Sequence, residues 1–219
     1  MVRTIEILSL LCLIGVTFYG ICTLFVKSVP LYFKLSMCAV ICAVMELVYD
    51  ELLWSLAAEG YVTVNLGVLG ACGFYFFVLA ANYGVFDSIV DGGRPEYKWA
   101  RRISWIMPVI LLPTMIYNTI AENALSPIYL LISVIIVIGL LPCTYYNLKI
   151  ILMRDDGTHF VRGAKPMNTA ALVYILLPFI DGYIGSDSLE IASLLSIGIN
   201  LSLIAMVFCI NWGVKQWIS

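Results

Sequence analysis

Charge is what this sequence has least of. Only 12% of its residues are charged while 62% are hydrophobic, about half the charged fraction of a soluble domain. That argues against any soluble domain within the 219 residues. The net charge is −2, so nothing points to a nucleic-acid partner. Histidine is nearly missing. His159 stands alone, in a polar stretch read as a solvated loop. Cysteine is present seven times, at Cys12, Cys22, Cys38, Cys42, Cys72, Cys143 and Cys209, but always inside apolar stretches. No cysteine lies in a loop where an oxidised partner would meet it. Cys38 and Cys42 share a helix face, and a buried pair at that spacing reads as packing rather than a metal site. There is no Walker loop, no HExxH, no Gly-x-Ser-x-Gly and no GxGD loop, so neither catalysis nor a metal or cofactor is expected. A covalent retinal pigment needs a lysine in the middle of its last span, and the last basic residue, Lys215, lies at that span's end.

Long hydrophobic runs are what the sequence has instead. A span of about 20 apolar residues crosses a hydrocarbon core of about 30 Å. Seven such runs are read, at about 5–26, 35–54, 64–86, 103–120, 128–148, 167–184 and 191–214. The expected fold is all-α, a single seven-helix transmembrane bundle. The first run has one basic residue before it and no small-residue cleavage site, so it reads as a span rather than a signal peptide. Basic residues are missing from alternate turns. Every Lys and Arg except Arg3 falls in the first, third or fifth turn or after the last span. Short basic loops stay in the cytoplasm, which places the N-terminus outside and the C-terminus inside, in a cell membrane. Trp54, Tyr61, Tyr117, Tyr129 and Tyr183 mark the outer boundary, and Trp99, Trp105, Trp212 and Trp217 the inner one.

Inside the spans, small residues come first. Gly67, Gly70 and Gly73 lie near one face of the third span, and the seventh carries Ser193, Ser196, Gly198 and Ser202. Small residues let membrane helices approach closely, so these two spans are expected at the centre. Asn200 reads as an interhelical hydrogen-bond anchor. Pro108, Pro113, Pro142 and Pro178 are expected to kink their helices.

The acidic residues carry the functional expectation. Glu46 and Asp50 lie one turn apart on the second span and share a face. Glu46 is a dozen residues beyond Lys34, roughly 18 Å into the membrane at helical rise. A charge there is costly unless it faces the bundle or a watery cavity. Asp181 follows the Pro178 kink at a depth near that of Asp50. The expectation is an outer cup of Glu46, Asp50 and Asp181 with Tyr49, Tyr117, Asn118 and Tyr183 nearby, suited to a cationic or polar ligand or to protons. The bland alternatives are headgroup water around Asp50 and Asp181, and a protonated Glu46 bonded within the bundle.

Residues 73–88 (GFYFFVLAANYGVFDS), 172–185 (LVYILLPFIDGYIG) and 193–208 (SLLSIGINLSLIAMVF) resemble the N-terminal seven-helix sensor modules of bacterial diguanylate cyclases with GGDEF output domains. They are also similar to the seven-transmembrane modules of some sensor histidine kinases. The resemblance covers about two-thirds of the chain and rests on hydrophobic patterns. It implies an extracytoplasmic or intramembrane signal and an output domain after the seventh span. The sequence ends at VKQWIS with no GGDEF, kinase or coiled-coil segment, which leaves a sensory fragment and a stand-alone membrane protein both open. Such modules often carry a Gln shortly after the Gly that follows Pro in span six, where this chain has Tyr183, Ile184 and Gly185. The leading expectation is a sensory or receptor module whose signal passes through the last two spans. The alternatives are a small proton- or cation-coupled transporter or channel, and a structural subunit whose small-residue faces point outward to a partner membrane protein.

Overall fold

Helices dominate because the chain is apolar enough to be solvated by lipid, where a backbone must satisfy its own hydrogen bonds. A computed structural model describes residues 2–25, 28–57, 67–86, 99–100, 102–104, 127–153, 159–184 and 189–218. Among these residues helix is the only regular structure, with no strand. Six long helices are described: α1 (Val2–Leu24), α2 (Leu31–Ala57), α3 (Gly67–Phe86), α4 (Pro127–Leu152), α5 (His159–Ile184) and α6 (Leu189–Ile218). Three stretches are long and apolar enough to cross a membrane: Arg3–Leu24 of α1, Leu31–Leu52 of α2 and Ile191–Ile218 of α6. The expected fourth span, 103–120, lies outside the described residues apart from 103–104, which are helical.

Helix ends differ from the sequence expectation most at α5. The helix starts at His159, about two turns before residue 167. His159, Arg162 and Lys165 are therefore helical and not part of a loop. The extra turns persist because they pack, with Val161, Gly163 and Ala164 buried while Arg162 stays exposed. Lys149 likewise belongs to α4, where its ammonium is buried and lies 5.7 Å from the Tyr145 ring centre.

The helices pack in chain order, α1 on α2, α2 on α3, α3 on α4, α4 on α5 and α5 on α6, and the ring closes through α6 on α1. One further contact, α2 on α6, crosses its middle. By backbone approach among the described residues α2 and α6 have the most neighbours, while α3 lies against α2 and α4 and reaches α5 through side chains. Among the described residues the second expected span lies centrally along with the seventh. The core holds Leu13, Phe33, Met37, Phe74, Met167, Leu203, Met206 and Ile210, all sealed from the surface.

Two ends can be told apart by their cross-links. At one, Arg3 of α1 pairs with Glu51 of α2 at 3.6 Å. At the other, Thr23 Oγ1 of α1 donates to Asn211 Oδ1 of α6 at 3.3 Å, and Phe160 of α5 meets Trp217 in the last turn of α6. Near this Trp217 end α5 and α6 touch backbone to backbone. A methyl on Gly163 would fall 2.9 Å from Gly213 Cα, so both positions need glycine for the approach.

The surface is inverted relative to a water-soluble protein. Phe18 is 68% exposed and Phe76 64%, while Asn82, Asn147 and Asn168 are 0% exposed. Large apolar side chains outside and amides inside are compatible with lipid as the solvent.

Candidate functional site

Glu46 anchors the only part of the expected cup whose geometry is described. It projects from α2 where the helix meets α3. Gly70 makes room for it: a methyl there would fall 2.7 Å from Glu46 Cβ and 2.6 Å from the Cys42 carbonyl oxygen. Gly73, one turn on, seats the Cys42 thiol in the same way, and Gly67 is buried at the start of α3. Gly70 and Gly73 therefore face α2.

From the far side of the bundle, Tyr174 of α5 donates its hydroxyl to Glu46 Oε2 at 3.4 Å. The Tyr174 ring is buried and stacks at 4.4 Å between centres on Phe74 of α3. Tyr75 and Asp50 are the electrostatic neighbours of the carboxyl. No cation lies within ion-pair distance of Glu46 among the described residues. Glu51, one turn beyond, behaves differently: its side chain, 36% exposed, pairs with the largely exposed Arg3, an arrangement that contributes little stability. So the two half-buried acids divide by partner, Glu51 being paired with a guanidinium and Glu46 held by a phenol.

Asp50 and Tyr49 sit half-buried on the same helix. Asp181 and Tyr183 lie in the last turn of α5, but their side chains fall outside the described residues, as do Tyr117 and Asn118 entirely. Asn200 is buried on α6 and donates Nδ2 to Ser9 Oγ of α1 at 2.8 Å, and Ser9 Oγ passes the bond to the Glu6 carbonyl at 2.7 Å.

A second polar cluster, toward the Trp217 end, was not anticipated. Asn82 of α3 donates Nδ2 to Asn147 Oδ1 of α4 at 3.3 Å and to Asn168 Oδ1 of α5 at 2.8 Å. Asn168 Nδ2 in turn donates to the Tyr32 hydroxyl of α2 at 2.6 Å. Four helices meet in this one network. Its residues lie near the expected span ends at 35, 86, 148 and 167, where a polar side chain looks like an interface residue. The available signal was their type: three asparagines in apolar surroundings, the same feature that singled out Asn200.

α2 and α5 have no close backbone approach among the described residues. They are joined by two tyrosines instead, Tyr174 reaching Glu46 and Tyr32 reaching Asn168. Among the described residues no group of acids, histidines and cysteines could hold a metal ion, and all seven cysteines are free thiols. No family model matches the chain, and no curated protein or solved structure matches it.

Proposed function

We propose that this chain is a seven-helix sensory or receptor module of a bacterial cell membrane, with its Arg3 end outside and its Trp217 end in the cytoplasm. The observation that carries the reading is Glu46. A carboxyl is placed inside an apolar bundle, met by a tyrosine from the opposite helix and by aromatic rings, with no cation paired to it among the described residues. Burying an acid in this way is costly, and a site that spends stability on an unneutralised acid is suited to a cationic ligand or a proton. Because Glu46 and Tyr174 belong to α2 and α5, occupancy acts on the distance between two helices that have no other tie at that level among the described residues. A ligand shifts such a pair only by binding its two arrangements unequally.

One feature of the packing supports the odd number of crossings. Asn82 and Asn147 bond, and Tyr83 and Tyr146 stack at 5.8 Å, all within the last turns of α3 and α4. Two successive described helices thus end at the same level. This supports reading a further crossing between residues 86 and 127, where the fourth span is expected from sequence. On that reading there are seven crossings, with every basic residue except Arg3 on the Trp217 side.

The test is thermal unfolding of the purified protein in nanodiscs. Tetramethylammonium, choline, sodium, potassium and a pH series from 5 to 8 serve as probes. At least one should raise the unfolding midpoint of the native protein. Glu46→Gln and Tyr174→Phe should abolish that gain, and Glu51→Gln should keep it. A native protein indifferent to every probe, or a gain that survives Glu46→Gln, sinks the reading. Cation flux into liposomes that is lost in Glu46→Gln would replace the sensor with a transporter using the same carboxyl.

A further inference from the structure

The asparagine cluster contains a mismatch that its own geometry forces. Asn147 Nδ2 donates to the Cys143 carbonyl at 2.9 Å, and Asn168 Nδ2 to the Ala164 carbonyl at 2.9 Å. Of an amide's two ends only the NH₂ can donate to a carbonyl, so these two bonds fix how both amides are turned. Each presents its oxygen to Asn82. Asn82 must then turn its NH₂ toward them, and it donates to both. Its own Oδ1 is left facing away, buried and with no partner. Thr144, one turn before Asn147 on α4, has a buried hydroxyl oxygen in the same condition.

An unmet buried acceptor forfeits its solvation without return, and a buried polar network rigidifies its surroundings when it is fully satisfied, which this one is not. No side chain can simply flip to repair it. Turning Asn82 over would set three amide oxygens against one another. Nor is there room for a guest, because Asn82, Asn147 and Asn168 are all 0% exposed. A shift of the helices relative to one another would give Asn82 Oδ1 a donor or water.

That shift has a route to the end of the chain. Tyr32, bonded to Asn168, stacks edge-on against Phe33 and Phe160, with ring centres 5.2 Å and 4.9 Å away. Phe160 packs at 6.1 Å on Trp217 in the last turn of α6. Phe33 also fills the notch at Gly213, where an added methyl would lie 2.6 Å from its ring. Tyr32 therefore sits between the amide network and the terminal turn of α6.

We propose that Asn82, Asn147, Asn168 and Tyr32 form a polar latch between α2, α3, α4 and α5 that holds the Trp217 end of the bundle in one of two arrangements. The latched arrangement is the one described, and the released one frees Tyr32 and repositions the last turn of α6. This goes beyond the sensory reading and does not depend on Glu46 binding anything.

The experiment is fluorine NMR of the protein in nanodiscs with 5-fluorotryptophan, the Trp217 resonance being assigned by Trp217→Phe. Asn82→Ala and Tyr32→Phe should both move Trp217 intensity into the same second resonance, changing the ratio of the two by about tenfold. Asn200→Ala breaks a different buried amide bond on Trp217's own helix and should leave the resonance in place. If Asn82→Ala and Tyr32→Phe leave Trp217 in its native resonance, or send it to two different positions, there is no common released state and the proposal falls. Should Asn82→Ala fail to fold, Tyr32→Phe decides alone, since it keeps the ring that touches Phe160 and removes only the hydroxyl.

Discussion

Substituting Gly70 by alanine probes the contact on which the Glu46 site rests. The added methyl would lie 2.6 Å from the Cys42 carbonyl oxygen, 2.7 Å from Glu46 Cβ and 2.9 Å from Glu46 N. Ordinary contact begins at 3.4 Å, so the shortfall at the oxygen is 3.4 − 2.6 = 0.8 Å. Two of the three atoms are backbone and cannot rotate away. α3 must withdraw from α2 by much of that distance, and tight contact around Cys42 is lost. Overpacking of this kind costs about 1–3 kcal/mol. Gly73 is a graded control, because its methyl would meet the Cys42 thiol at 2.7 Å, a side chain able to turn. Gly15 and Gly139 are blanks, with nothing within 4 Å of an added methyl, and there alanine should be neutral or up to about 1 kcal/mol stabilising. Equilibrium unfolding in mixed micelles should rank the variants Gly70→Ala least stable, then Gly73→Ala, then Gly15→Ala and Gly139→Ala. If Gly70→Ala matches Gly15→Ala in stability, the close approach of α2 and α3 is wrong, and with it the placement of Glu46.

Other expectations follow from the same packing. Gly163→Ala should destabilise by about 1–3 kcal/mol, and combining it with Gly213→Ala should be non-additive, because the two residues form one contact. Chemical denaturation of the two singles and the double measures that. Asn200→Leu should cost under about 1 kcal/mol, since it loses the Ser9 bond but also removes an amide oxygen that has no partner. A loss above 2 kcal/mol by the same method would mean that this bond organises more than α1 and α6. Impermeant labels applied to sealed vesicles should reach the start of α1 and the end of α6 from opposite sides, and labelling of both from one side would contradict an odd number of crossings.

Helical structure was legible in the sequence because composition alone decides it. With so few charged residues and such long apolar runs, a chain in lipid has no way to satisfy its backbone other than helices or a closed barrel. These runs are also too long and uniform to be barrel strands. Helix ends were less legible. At His159–Pro166 the charges of Arg162 and Lys165 suggested a loop, yet the buried face of Val161 and Ala164 carries the helix onward. Glu46 was visible as an acid out of place. Its partner was not, because Tyr174 looks like any other aromatic in an apolar span.

What the sequence determined by itself was the presence of apolar helices and the list of polar residues they carry. Which of those residues meet was decided only by tertiary packing. The helices are apolar on all sides, so no hydrophobic stripe says which face turns inward. The inward face is chosen by close contacts such as Gly70 on Cys42 and Gly163 on Gly213, and by amides that must find one another. Asn82, Asn147 and Asn168 come from three separate helices, and nothing local to any one of them encodes the other two.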